Sequence, residues 1–240
     1  MNVRLRGLAL CAVLCWAMGV QAREPSASGN FPSPSMVRMP RAVAFVAEHP
    51  SPAAPGIVYL HGICGRAENG CGHFASGAGA WLLCPRAPNA CAGGGESWGD
   101  ARQAAEIVRG AESDLAASTR ATGGPHGRIL VGFSQGGYVA RAIYGERPNT
   151  FRGMMVLGAD VRFGRAELER AGVRRVALGA GRFDATWAPL RRASAALAAE
   201  GFPVRFVDLG EVGHTYVAAP TSASAIPDAL SWLAEAEAGG

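Results

Sequence analysis

A serine set among glycines is the first feature of this sequence that could do chemistry. Ser134 sits in Gly132-Phe133-Ser134-Gln135-Gly136-Gly137, after the apolar run Ile129-Leu130-Val131 and before Tyr138-Val139-Ala140-Arg141-Ala142-Ile143. A short apolar run meeting glycines and then a helical pattern predicts a sharp strand-to-helix turn with the hydroxyl thrust up at its apex. Such a hydroxyl becomes a nucleophile when an imidazole takes its proton and a carboxylate orients the imidazole. On a turn of this kind the partners follow in the order serine, acid, histidine. Of the five histidines, His49, His61, His73 and His126 precede the serine and only His214 follows it. His214 lies just beyond the apolar run 204–207, in a loop at the carboxyl end of an expected strand, where open parallel sheets carry their chemistry. Three aspartates lie between: Asp160, Asp184 and Asp208. We expect Asp184, in the glycine-rich loop after strand 173–178, to be the acid, with Asp160 as the alternative. Asp208 closes the same strand that leads to His214 and has little room to reach behind the ring.

The G-x-S-x-G pattern alone is weak, because glycine fills 33 of 240 positions. A second match, Gly95-Glu96-Ser97-Trp98-Gly99, follows a loop-like Asn-Ala-Cys-Ala-Gly-Gly-Gly stretch. Lacking a strand before it, Ser97 reads as an accident or as part of a pocket rim. The oxyanion of acyl transfer needs two N–H donors. Gln135, at a helix N-terminus, is one candidate. Ile63, after the strand 57–60 and the turn-permitting Gly62, is the other. His61 precedes the serine, which points to a structural hydrogen-bonding role. The bland alternative is a glycine-rich turn with a spectator serine and a surface histidine.

The elements that must position these residues follow a simple rhythm. Strands are expected at 42–47, 57–60, 81–84, 129–131, 154–157, 173–178 and 204–207. Helices are expected at 100–119 (with Asp100 as cap and Gln103 three residues on), 165–170, around Leu190 to Gly201, and around Ile226 to Leu233. Short strands without polar alternation, separated by amphipathic helices, predict an α/β fold with a mostly parallel central sheet covered by helices on both faces. No internal repeat and no second domain is visible. Only one short helix fits between strands 154–157 and 173–178, so no large lid domain is expected.

Residues 1–22 read as a signal peptide: Arg4 and Arg6, an apolar run 8–20, and a small-residue exit at Ala22. The run is shorter than the roughly 20 residues a membrane span needs, so no span is expected in the mature form. The Pro- and Ser-rich segment 23–40 reads as a flexible leader, and 41–238 as a single domain. Loss of Arg4 and Arg6 would take the formal net charge from +4 to +2, too balanced to imply nucleic acid. The chain contains no lysine, which excludes Schiff-base, Ser-Lys and P-loop chemistry. Cys64, Cys71, Cys84 and Cys91 remain after the signal, an even set suited to two disulfides in an oxidising compartment. Three connectivities are open. Their spacing is unlike that of a zinc knuckle, so no metal is expected.

Strand-His61-Gly62, Pro85-Arg86-Ala87-Pro88, the Gly132–Gly137 block, the loop ending at Asp184 and the late Gly213-His214 resemble the α/β-hydrolase fold. Within it they resemble the carboxylesterase/acyl-thioesterase and dienelactone-hydrolase-like branch, over about residues 41–238. The resemblance implies Ser134 as nucleophile, Asp184 and His214 as its partners, and the Ile63 and Gln135 N–H groups as the oxyanion hole. It implies hydrolysis of a small-molecule ester or thioester without cofactor, in a secreted or periplasmic protein. The chain departs from the pattern between Cys64 and Trp98, where four cysteines and a Gly-Gly-Gly run stand in place of the usual pocket loops. Two other functions fit the same outline: a non-catalytic binding protein, which has no reason to keep all three residues, and a small serine peptidase, which usually carries a larger lid. The sequence holds no signal of subunit number.

Overall fold

Apolar side chains on both faces of a strand require cover on both faces, and the sheet is built around that demand. In the computed structural model, residues 35–48, 55–75, 79–119 and 128–235 are described. The expected signal peptide and most of the expected leader lie outside them. The strands are β1 Ser35–Arg38, β2 Ala42–Val46, β3 Gly56–Leu60, β4 Trp81–Pro85, β5 Asn89–Ala90, β6 Glu96–Ser97, β7 Arg128–Phe133, β8 Phe151–Leu157, β9 Arg175–Ala180 and β10 Val204–Asp208. The α-helices are α1 Ala67–Phe74, α2 Ala101–Ser118, α3 Gln135–Glu146, α4 Arg165–Arg170, α5 Trp187–Ala199 and α6 Ala225–Ala234. Eight strands form one sheet in the order β1-β2-β4-β3-β7-β8-β9-β10. From β4 to β10 every pairing is parallel, and β1 and β2 join antiparallel at one edge. This is the α/β-hydrolase fold, with no large lid among the described residues.

Alternate residues of β3 divide the core. Val58 and Leu60 pack with Leu83, Leu130 and the apolar faces of α2 and α3. Ile57 and Tyr59 pack with Leu82, Ile129, Val131 and the faces of α1 and α6. Met154, Val156 and Leu178 extend the first layer onto Leu190 and Leu197 of α5. Helix α2 starts as expected: the Gln103 N–H donates to the Asp100 carboxylate at 2.8 Å, the usual N-cap bond.

Several details depart from the sequence reading, among them an earlier start to β8, at Phe151. The last residues of the expected leader, Ser35–Arg38, form strand β1, in register with Val43–Val46. An edge strand needs only one partner's backbone, and the Ser- and Pro-rich composition around it concealed that. Strand β9 runs two residues later than expected, because Gly179 and Ala180 continue the ladder opposite Val207 and Asp208. Helix α1 and the β5–β6 hairpin were not anticipated. Both lie in the cysteine-bearing stretch, and covalent bonds hold them. Cys71 of α1 is joined to Cys84 of β4, and Cys64 after β3 is joined to Cys91 of the hairpin. These pairs resolve the three open connectivities. The bridges close separations of 27 and 13 residues, each worth about 3 kcal/mol of chain entropy.

Candidate active site

Strand β7 ends at Phe133 and α3 begins at Gln135, so a single residue, Ser134, makes the turn. Its backbone has φ 52° and ψ −120°, a conformation that costs a non-glycine residue about 1–3 kcal/mol. Neighbours hold it there. The Ser134 N–H donates to the Leu157 carbonyl at 2.8 Å, and its own carbonyl accepts from Gly137 N–H at 2.9 Å. Gly136 lets α3 start over the end of β3: a Cβ at that position would lie 2.0 Å from the Leu60 carbonyl oxygen.

The structure brings Ser134, His214 and Asp184 into one hydrogen-bonded chain. The Ser134 hydroxyl donates to His214 Nε2 at 2.9 Å. His214 Nδ1–H donates to Asp184 Oδ2 at 2.7 Å. The carboxylate's other oxygen accepts from the Thr186 N–H at 2.8 Å and from the Thr186 hydroxyl at 2.9 Å. Burial pushes the Asp184 carboxyl upward, but the Thr186 N–H, the imidazole and the Thr186 hydroxyl outweigh it and hold it below the usual carboxylate range. An ionised Asp184 fixes the proton on Nδ1 and leaves Nε2 free to accept.

The two loops that carry this pair brace each other. Arg182 N–H donates to the Gly210 carbonyl and Phe183 N–H to the Val212 carbonyl, so the loop after β9 is stitched to the loop after β10. The Phe133 ring lies beside the imidazole, with centroids 5.0 Å apart, and Tyr216 packs edge-on against Phe133. Gly158 has φ +63°, and a Cβ on it would lie 3.1 Å from His214 Cε1. The absence of a side chain there leaves space for the ring.

The remaining candidates sort themselves by their partners. Asp160 is exposed, and its N–H donates to the Tyr138 hydroxyl at 3.2 Å; both imidazole nitrogens are taken by Ser134 and Asp184. Asp208 is ion-paired with Arg182 at 3.0 Å. His61 is buried, donates through Nδ1 to the Gly62 carbonyl at 2.8 Å, and is driven toward its neutral form by that burial. Ser97 lies in the hairpin, its hydroxyl 3.5 Å from the Asn89 carbonyl. His49 and His126 lie outside the described residues.

Gln135, as the first residue of α3, has a backbone N–H with no acceptor inside the helix. Its side chain is fixed as well, accepting from Trp98 N–H at 3.1 Å and donating to the Trp98 carbonyl at 3.3 Å. Gly62 passes close over the serine, since a Cβ on it would lie 3.2 Å from Ser134 Cβ. Ile63 follows, largely exposed. The sequence reading missed Thr186 and the Gln135–Trp98 clasp. An Asp two residues before a Thr in a loop is the pattern of an Asx turn and could have flagged Thr186. Nothing in the sequence ties Gln135 to Trp98. A cavity of about 290 Å³ opens against Gly62, Phe133 and Tyr216. Among the described residues no group of three or more His, Cys, Asp and Glu side chains could hold a metal ion, and no helix is long and apolar enough to cross a membrane.

No family model and no curated protein sequence matches the chain. Solved structures do. An esterase, PE8, superposes with a TM-score of 0.56 at 22% identity, covering 85% of this chain and 98% of its own. SOBER1 of Arabidopsis thaliana superposes at 0.53 with 19% identity, over 76% of this chain and 98% of its own. A bacterial heroin esterase reaches 0.62 at 13% identity, over 88% and 87%. At these identities the likeness establishes the fold.

Proposed function

We propose that this protein is a secreted serine hydrolase that cleaves small-molecule carboxylic esters or thioesters through an acyl-enzyme on Ser134. The observation that carries the reading is the unbroken hydrogen-bond chain from the Ser134 hydroxyl through His214 to Asp184, on a strained turn that a spectator serine would not need. Esterases share the fold at full domain length, which supports the substrate class.

His214 Nε2 takes the hydroxyl proton as Ser134 Oγ bonds to the substrate carbonyl carbon. The carbonyl π electrons move onto oxygen, and the N–H groups of Gln135 and Ile63 stabilise that oxyanion. One such donor lowers the barrier by about 3 kcal/mol. Asp184 holds the imidazole in its productive tautomer and stabilises the imidazolium. As the tetrahedral adduct collapses, the bond to the leaving oxygen or sulfur breaks and His214 returns the proton to it. Water, deprotonated by His214, then attacks the acyl-serine and releases the acid. A peptidase role has less support, since only the six-residue helix α4 stands between β8 and β9, and among the described residues no lid frames a peptide groove. The two disulfides support an oxidising compartment, secreted or periplasmic.

The direct test is turnover of 4-nitrophenyl esters of increasing acyl length, with the matching thioesters measured in parallel. Burst kinetics or saturable hydrolysis far above buffer is expected. Hydrolysis no faster than with heat-denatured protein would reject the reading.

The two bridges predict a split between activity and stability. Cys71 and Cys84 are fully buried, whereas Cys64 is exposed and immediately follows Ile63. Titration with dithiothreitol is expected to open Cys64–Cys91 first, lowering kcat several-fold through a loosened oxyanion loop while the melting curve stays in place. Alkylation and mass mapping identify the opened bridge. Coincident loss of activity and fold would contradict this order.

A further inference from the structure

We propose that Arg66 makes this site selective for substrates carrying a carboxylate near the scissile bond. The inference rests on Ser134 as nucleophile and narrows the class of ester it cleaves.

The cavity beside the site is lined largely by glycine backbone, with Tyr59, Arg66, Asn69, Phe133 and Tyr216 as its principal side chains. Ile63 is the one aliphatic side chain of that lining, and it is mostly exposed. A long alkyl chain would therefore bury little apolar surface here and gain little from it. Its polar side chains are the Arg66 guanidinium, the Asn69 amide, the His61 imidazole and two phenols, of which only the guanidinium is a permanent cation.

Arg66 is distinguished by what it lacks. In a neighbouring cavity, which Arg66 also lines, Arg38 pairs with Glu68 and Arg86 pairs with both Glu68 and Glu96. Those two carboxylates are thus already compensated. Arg66 has no carboxylate within 4.0 Å among the described residues. Its side chain lies across the Gly93-Gly94-Gly95 run, where a Cβ on Gly94 would meet Nη2 at 3.1 Å. That run is anchored by the Cys64–Cys91 bridge and by the Gly94 N–H, which donates to the Cys91 carbonyl at 2.9 Å. The guanidinium therefore rests on a tethered loop, and Arg66 lines the cavity that also borders Gly62 and Phe133. Tyr59 lines the same cavity, is 1% exposed, and its hydroxyl has no hydrogen-bond partner. That hydroxyl is itself sealed from solvent, so the guanidinium is the group left to meet a ligand. An unpaired guanidinium beside a small polar space suits a carboxylate, which accepts two guanidinium bonds side by side.

The test compares matched esters. On the acyl side, mono-4-nitrophenyl adipate is set against 4-nitrophenyl hexanoate. On the alcohol side, 3-carboxy-4-nitrophenyl acetate is set against 4-nitrophenyl acetate. On at least one side, the ratio of kcat/KM for the charged over the neutral ester is expected to fall about tenfold or more from wild type to Arg66→Gln. Arg66→Lys, which keeps the charge but not the fork, is expected to retain part of the ratio. Added NaCl at 0.5 M is expected to shrink the wild-type ratio. Ratios that agree within twofold between wild type and Arg66→Gln on both sides overturn the inference. Absence of turnover with all four esters, neutral ones included, instead removes the role of Ser134, and the inference falls with it.

Discussion

Ser134→Ala is expected to reduce ester turnover by about 10⁴- to 10⁶-fold in kcat while leaving the fold intact. The size follows from the mechanism: without the hydroxyl no acyl-enzyme forms, and only the oxyanion donors and substrate positioning remain. The stability effect has a definite sign. Ser134 occupies a positive φ of 52°, and alanine inherits that strain, so its melting temperature is expected to stay within a few degrees of wild type. Ser134→Gly should relieve the strain and raise stability by about 1 kcal/mol, a shift of about 2–4 °C in a chain of this size. Steady-state kinetics and thermal melts on the two variants check both statements. Retention of more than a few per cent of wild-type turnover in Ser134→Ala would place the nucleophile elsewhere.

Asp184→Ala against Asp160→Ala gives the second large contrast. Asp184 accepts the His214 Nδ1–H at 2.7 Å. Its loss frees the ring to turn or to adopt the tautomer that puts its proton on Nε2, facing the serine. A loss of about 10³- to 10⁴-fold in kcat is expected. It should also destabilise the fold, because the Thr186 N–H and hydroxyl lose a nearly buried acceptor, at a cost of about 1–3 kcal/mol. Asp160 offers His214 nothing, and Asp160→Ala is expected to stay within about twofold of wild type. Kinetics on both variants at matched folding decide between them. Comparable losses in the two would mean that the imidazole draws on a different carboxylate during catalysis.

Much of this architecture could be read from the residues alone, for identifiable reasons. The central strands are apolar on both faces, and the helices between them keep their buried residues at helical spacing, as with Ala104, Val108, Ala111 and Leu115 of α2. Both patterns are local. The order of Ser134, Asp184 and His214 was legible because a parallel sheet places each at the carboxyl end of a strand, and only one histidine follows the serine. What escaped was set by distant partners. Strand β1 has little apolar pattern and is fixed by backbone pairing to β2. Helix α1, with Asn69, Gly70 and Gly72, has poor intrinsic propensity and is pinned by the Cys71–Cys84 bridge and the burial of Phe74. The clasp between Gln135 and Trp98 spans 37 positions, and no local signal encodes it. The same cysteine-bearing stretch that hid these elements also supplies Arg66 and the glycine wall of the cavity.

Every step of the proposed reaction passes through a covalent bond to the Ser134 oxygen itself. Intact-mass and peptide mapping after treatment with a fluorophosphonate reagent tests it most directly. One adduct per chain is expected, on the peptide bearing Ser134, formed at the rate at which ester turnover disappears and absent from Ser134→Ala. An adduct on another residue, or full inactivation with Ser134 unmodified, would contradict it.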